Sequence, residues 1–405
     1  MLDFTKVARQ MQAIGQHLTQ EAIAARSRLE LAEKLLKKAR SRQEEIVALR
    51  QEWQSRIWFN AAEPIEPLNL KKAIARAPES HTVVATDGSQ IAPSHHEIAY
   101  CYLINVGRVM LHYGQSRHPL LDSVPEVFYR SEDLYVSRQW GIRTEEWMGY
   151  RRTVSEIEAL ADLAVTYQLD SNSKRVPILA MVDGSLIYWF LETLPSEACD
   201  RILPPILEAW EQLRLAGIPL VGYLSASRSS DATHFLRFQA CPKPEPNCLT
   251  HCPNKGISEG GIELNRAPCQ KFEPLRDVTL WSVLLEPGRR GNLWRSSSPI
   301  LSDYGDRHHI YFCYVHVGTE IARLEMPAWV AEDAKLLETT LSLVVAQVQK
   351  GYGYPVTLAE AHNQAVVRGG DRHRFFSILE RQMIKSGLRN VGTSYKETRK
   401  RGSIA

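Results

Sequence analysis

The sequence predicts an α/β protein, a mixed β-sheet flanked by helices. Two apolar, β-branched runs, Val83-Val84-Ala85-Thr86-Asp87-Gly88-Ser89 and Ala180-Met181-Val182-Asp183-Gly184-Ser185, end in the same Asp-Gly-Ser tripeptide. Apolar runs of this length bounded by a turn signal read as buried strands. Around them, segments with helical apolar spacing alternate with further short apolar runs. The resulting order is strand, hairpin, helix, strand, helix, strand, which is the layout of the RNase H-like fold. In that layout the first and fourth strands are parallel neighbours.

Residues 1–56 read as a long helical region. Good helix formers dominate, no proline precedes Pro64, and Ile23, Leu29, Leu31, Leu35, Leu36, Ile46 and Leu49 recur at helical spacing. Lys34, Lys37, Lys38, Arg40 and Arg42 lie on the polar side. Two readings stand: a helix packed on its own domain, or a coiled-coil-like arm for a partner chain. Trp53, Trp58 and Phe59 mark the approach to the core, and residues 60–80, with Pro64, Pro67 and Pro78, read as a connector.

After the first strand, Ile98–Val106, Gly107-Arg108 and Val109–Tyr113 read as a hairpin with a glycine turn. Residues 144–168 read as a helix, with Ile157, Leu160, Ala161, Leu163 and Ala164 at i, i+3, i+4 spacing. Strand 176–182, a helix over 201–216 ending at Gly217, and strand 218–224 follow. Residues 240–275, rich in Pro, Gly and Cys, read as an inserted loop. Tyr311–Val317 reads as a strand with Ile321–Leu324 as its partner, and helices are expected over 331–350 and 358–367. The expected division is a helical arm over 1–60, an α/β domain over 61–390 carrying the insert 240–275, and a basic tail over 391–405.

Composition bounds the function classes. The chain has 405 residues, 44 % hydrophobic, with 49 Lys+Arg against 46 Asp+Glu. That is enough apolar content for one large or two ordinary domains. The near-neutral charge neither demands nor excludes a nucleic-acid partner, because a basic groove hides easily in a balanced total. No apolar run reaches membrane-spanning length, so no membrane partner is expected. The start, Met1-Leu2-Asp3-Phe4-Thr5-Lys6, lacks a signal-peptide core. Seven cysteines without an export signal suggest reduced thiols and a cytoplasmic protein.

If both strands end at their Asp, Asp87 and Asp183 meet at one sheet edge, where open α/β sheets bind ligands. Two close carboxylates either raise one pKa or share a cation. Oxygen donors select hard cations such as Mg²⁺ or Mn²⁺, the ions of phosphodiester chemistry. The helix between the two strands offers Glu156 or Glu158 as a third ligand. They point to different faces, and Glu156 shares a row with Leu160 and Leu163. His362, at a Pro turn leading into a helix, is set to be a metal ligand, a phosphate contact or a proton shuttle.

These residues resemble the NurA nuclease family, DNA-end-processing enzymes that work with the hexameric HerA translocase. The resemblance rests on the paired Asp-Gly-Ser motifs, the intervening helix Glu, Gly222-Tyr223-Leu224-Ser225, Ile321-Ala322-Arg323-Leu324-Glu325-Met326-Pro327, and Tyr354-Pro355-x-x-Leu358-x-x-Ala361-His362. It implies an RNase H-like fold, a homodimer, and Mn²⁺- or Mg²⁺-dependent cleavage of DNA ends and single strands. The cleavage would be 5′ to 3′ exonuclease and single-strand endonuclease activity in double-strand break repair. By motif position, Asp87, Glu156 and Asp183 would hold the metal, with Tyr223 and His362 assisting. Two rivals keep the same fold: a catalytically silent adaptor for an ATPase or DNA, and an RNA-cleaving nuclease.

The insert departs from the family pattern. Cys241, Cys248, Cys252 and Cys269 fall within 29 residues, with His251 alongside. In a reduced protein this fits a thiolate site for Zn²⁺ or an iron–sulfur cluster, although the spacing matches no standard zinc motif. Free thiols are the alternative.

Overall fold

The computed structural model describes residues 3–94, 99–170, 176–252 and 267–387. The basic tail over 391–405 and residues 253–266 of the insert lie outside the described residues. In chain order the main elements are α1 (Phe4–Arg40), α2 (Gln43–Trp53), β1 (His81–Ile91), β2 (Tyr102–Tyr113), β3 (Leu120–Phe128) and α3 (Thr144–Asp170). Next come β4 (Ile178–Asp183), α4 (Leu203–Ala216), β5 (Leu220–Leu224), α5 (Asp231–Ala240) and α6 (Asp277–Leu284). The chain closes with β6 (Ile310–His316), β7 (Ile321–Pro327), α7 (Ala334–Lys350), α8 (Val356–Ala365) and α9 (Gly369–Lys385). Among the described residues no helix is long and apolar enough to cross a membrane.

The chain forms two compact units, each discontinuous in sequence: Met1–Ile74 with Tyr223–Ala328, and Ala75–Gly222 with Trp329–Ala405. This differs from the expected division into an arm over 1–60 and a domain over 61–390, because long-range packing, not chain order, draws the boundary. The second unit holds the site. Its strands run in the order β5-β4-β1-β2-β3, with β5 entering through its first residues. β1 pairs antiparallel with β2, β2 with β3, and β1 parallel with β4. This is the RNase H-like order read from the sequence, a mixed sheet flanked by helices.

One strand assignment changes. β2 runs unbroken from Tyr102 to Tyr113, and Gly107-Arg108 is not a turn. The antiparallel partner is instead β3, reached after Tyr113. Gly107 lacks a side chain for a packing reason: a Cβ there would lie 2.5 Å from the Ala361 carbonyl oxygen, and would also meet the Ala365 backbone. The backbone of α8 therefore lies directly on this strand.

Side-chain alternation assigns the two faces. Tyr102, Ile104 and Val106 cluster with Met148 of α3. On the opposite face Asn105 donates from Nδ2 to the Ala365 carbonyl at 2.8 Å, and Ser89 donates from Oγ to the same oxygen. The sheet thus lies between α3 and α8. Thr86 fixes α3 by donating to the Glu156 carbonyl at 2.8 Å. Gly217 ends α4 in the left-handed region at φ 70°, its N–H bonding back to Leu213 and Arg214.

In the first unit, Ala32, Leu35, Leu36 and Ala39 of α1 and Ile46 of α2 join Phe235, Leu236, Trp281 and Phe312 in one core. The earlier part of α1 leaves Phe4, Met11, Ile14, Leu18 and Ile23 exposed. The reading of a helix packed on its own domain therefore holds for the second half of α1, while the first half leaves its apolar side chains exposed. The β6–β7 hairpin carries a buried polar network beside this core. Arg323 donates to Glu325 at 2.8 Å and Asp231 at 3.0 Å. Asp277 accepts the Ala232 and Thr233 N–H groups at the start of α5 and the Tyr314 hydroxyl. A buried carboxylate on those orphan N–H groups caps the helix from outside its own chain segment.

Candidate active site

Asp87 and Asp183 share a row of the sheet. The parallel register pairs Ala85 with Met181, and two more residues on each strand reach the two aspartates. Equal offsets on parallel neighbours place both side chains on the same face. Asp183 ends its strand as expected: Gly184 follows at φ 120°, and Ser185 Oγ accepts the Ile187 N–H at 2.9 Å. Asp87 does not, because β1 continues to Ile91. The first Asp-Gly-Ser is therefore not a turn.

Gly88 serves a different purpose. A Cβ at this position would collide with Glu156 Oε1 and lie 2.7 Å from Arg152 Cγ. The Glu156 carboxylate, arriving from α3, fills the space a side chain at 88 would occupy and accepts the Gly88 N–H. That same N–H also reaches Asp87 Oδ1 at 2.8 Å. Burial pushes the Glu156 carboxyl up to about 7; the Arg152 guanidinium opposes the rise, and the charges of Asp87 and Asp183 add to it. Arg152 Nε stands 3.1 Å from Glu156 Oε1, one helical turn away. Glu158 is also raised by burial, but the charges it faces are Arg151, Glu126 and Glu208. The structure thus groups Glu156, and not Glu158, with the aspartates.

His362 comes from the opposite face on α8. Its Nδ1–H donates to Asp87 Oδ2 at 2.8 Å, which fixes the tautomer and leaves Nε2 as the outward nitrogen on an exposed ring. Asp183 is open to solvent on one side, yet the atoms packed around it push its carboxyl up. The Tyr354 hydroxyl donating to it and the nearby His362 pull it down, and Asp87 pushes it further up. Gly222 lets β5 approach, since a Cβ there would lie 2.6 Å from the Gly184 carbonyl oxygen. Among the described residues no three His, Cys, Asp or Glu side chains stand as a ready set for a single ion. The carboxylates are instead turned onto His362, Arg152 and Tyr354. Each carboxylate oxygen has two lone pairs, so these bonds leave acceptor sites open.

A family model, the NurA domain, matches residues 81–367, more than half of the chain. The chain belongs to the NurA family. Its NurA domain spans all five residues expected at the site: Asp87, Glu156, Asp183, Tyr223 and His362. The chain is similar to the NurA nuclease from Sulfolobus solfataricus, with 12 % identity over 87 % of this chain and 98 % of that one, at a TM-score of 0.48. It is also similar to a NurA structure bound to dAMP and manganese, with 13 % identity over 82 % and 92 % of the two chains and a TM-score of 0.35. A NurA structure with manganese follows at 11 % identity over 74 % and 88 %, with a TM-score of 0.32. No curated protein matches the chain.

Within the NurA domain, Tyr223 belongs to the other compact unit. It is fully buried, and its hydroxyl donates to Glu320 at 2.9 Å; Glu320 also accepts from Ser225 Oγ and the Ala226 N–H. Tyr223 thus ties the end of β5 to the β6–β7 turn. Arg152 and Tyr354 are the site residues that sequence reasoning missed. The signals were present: Arg152 lies four residues before Glu156 on a helix, and Tyr354 opens the motif that ends at His362. Cys241, Cys248, Cys252 and Cys269 surround a single cavity in the first unit.

Proposed function

We propose that this chain is a divalent-metal-dependent nuclease that hydrolyses DNA phosphodiester bonds, acting on ends and single strands. The observation that carries the reading is the proximity of Asp87, Glu156 and Asp183, from β1, α3 and β4, where β4 ends beside His362. Their donor set is all oxygen and mutually repelling, which fits a hard dication. When bound there, Mn²⁺ or Mg²⁺ would stabilise the attacking and leaving oxygens of the phosphodiester.

The chain's own groups do the rest. Asp87 accepts Nδ1–H of His362 and so orients the ring, with Nε2 the nitrogen that would exchange a proton with an attacking water. Arg152 sets a guanidinium against Glu156, which limits the repulsion in the carboxylate group and offers positive charge toward a phosphate. Tyr354 steadies Asp183 through its hydroxyl. Gly88 keeps the path from α3 to the carboxylates open.

The same reading includes the HerA-type hexameric ATPase as partner, a homodimer, a role in break repair, and 5′ to 3′ exonuclease action. The exposed apolar residues of the first half of α1 support a protein partner. The test uses purified protein with matched DNA and RNA oligonucleotides and a plasmid, in Mn²⁺, Mg²⁺ or chelator. Cleavage of DNA that requires the ion is the expected result. Cleavage of RNA alone would replace the substrate class, and absence of cleavage in every condition would leave the adaptor reading.

A further inference from the structure

Four cysteines of one 29-residue segment line one cavity of about 170 Å³ in the first unit. Three pieces of backbone deliver them. Cys241 follows α5 directly, and Cys248 opens a single helical turn that Asn247 caps, with the Cys252 N–H bonding back to the Cys248 carbonyl at 3.1 Å. Cys269 sits in a short 3₁₀ turn, Pro268–Gln270. The Cys241 sulfur is near enough to those of Cys252 and Cys269 for their charges to act on it, and the Cys248 sulfur feels the same two. The four sulfurs therefore face one space.

Donors are aimed at three of them. The Lys243 N–H points at the Cys241 sulfur and the Trp58 N–H at the Cys248 sulfur. Arg237 directs its guanidinium at the Cys269 sulfur at 3.6 Å. Arg237 is itself nine-tenths buried, is paired with Glu273 at 3.0 Å, and lies over the Phe59 ring. A neutral thiol is a weak acceptor and gains little from such donors, whereas a ligating thiolate gains charge stabilisation. A buried cation beside four sulfurs also offsets the net negative charge of a tetrathiolate centre.

The cavity's size distinguishes the ion types. A single Zn²⁺ with Zn–S near 2.3 Å draws four sulfurs to about 3.8 Å from one another. Among the described residues no three ligand side chains are gathered for one ion. The cavity that the four thiols share with Phe59, Arg237, Pro242 and His251 has more room than one small ion fills. We propose that Cys241, Cys248, Cys252 and Cys269 are the ligands of a [4Fe–4S] cluster, bound as thiolates with their protons released to solvent. The cluster ties the end of α5, the Cys248 turn and the Cys269 turn together.

The test is metal analysis of full-length protein prepared without oxygen. About four iron and four sulfide per chain are expected, with a broad absorption near 400 nm that dithionite bleaches. Cys241→Ser and Cys252→Ser should each lose most of the iron, whereas Cys199→Ser, a thiol of the other unit, should keep it. Loss of iron from the wild type on exposure to oxygen should speed proteolysis within residues 241–269. Manganese binding to the chain is measured on the same samples and should persist, so failure of the cluster and failure of the nuclease reading separate. Metal-free protein with four titratable thiols here, or one zinc per chain and no iron, overturns the proposal.

Discussion

Gly88 is the residue on which the acidic site depends. Its missing side chain is the space that the Glu156 carboxylate fills, with Arg152 packed beside it. Gly88→Ala would add a methyl where the nearest atoms are the carboxylate end of Glu156 and the flexible stem, Cγ and Cδ, of Arg152. The fold therefore survives, and Glu156 moves. Ion-dependent cleavage should fall about 10–100-fold, the range for disturbing a supporting contact at a metal site, with little change in the melting temperature. Full activity in Gly88→Ala would show that Glu156 need not reach the aspartates.

At this scale the aspartate pair and Glu156 were legible, because strand register and helix rows are local rules. Gly88 and Gly107 were misread as turn residues, since the close approach of α3 and α8 is a tertiary fact. Arg323 and Glu325 entered the sequence reading only as part of a motif that carries the family resemblance. Their two-residue spacing on β7 puts them on one face in a buried pair. Tyr223, which the family resemblance places in an assisting role, is fully buried with its hydroxyl donating to Glu320.

At the scale of elements, β1 begins at a buried histidine. His81 donates from Nδ1 to the Pro78 carbonyl at 2.6 Å, and its ring stacks on Tyr113 of β2 at 4.6 Å. Burial pushes its pKa below the ordinary value; the bond to Pro78 opposes that, and the Lys350 charge of α7 adds to it. The unfolded chain therefore takes up this proton first as pH falls through about 6.5. Stability from His81 is present above that value and is lost as pH drops toward 5. In chelated protein, His81→Leu should flatten the decline of melting temperature between pH 7 and pH 5. An unchanged slope would mean that His81 titrates alike in both states. The helices α3, α4, α7 and α8 were legible from periodicity, and β3, short of strong apolar alternation, was not. Its outer residues are largely exposed, so the pattern that marks a buried strand is weak there.

At the scale of the whole molecule, the two compact units interleave along the chain, and linear reading joined what packing separates. The N-terminal helix shows the consequence. Its exposed first half contributes little to the core, whereas Leu35, Leu36 and Ile46 lie buried in it. Arg50 also ties α2 to the connector, donating to the Ala61 carbonyl at 2.7 Å and to Glu63. Removing residues 1–27 should leave folded, cooperative protein. Removing 1–50 discards three large buried side chains worth about 1.5–3 kcal/mol each, comparable with the whole stability of a domain. That truncation should unfold the first unit, as read by circular dichroism and proteolysis. A soluble, protease-resistant 51–405 chain would show that the core closes without it.

The proposed function requires Asp87, Glu156 and Asp183 to act together on one divalent cation to cut DNA. Its most direct test is the Mn²⁺-dependent cleavage rate of single-stranded DNA by Asp87→Asn, Glu156→Gln and Asp183→Asn, each confirmed folded by circular dichroism. Each change removes a charge while keeping the shape, and the loss of several kcal/mol of transition-state stabilisation corresponds to about 10²–10³-fold in rate. A loss of that size is expected in all three variants, with none rescued by raising Mn²⁺ to the level that saturates the wild type. Any one of them cutting DNA at the wild-type rate would contradict the proposal.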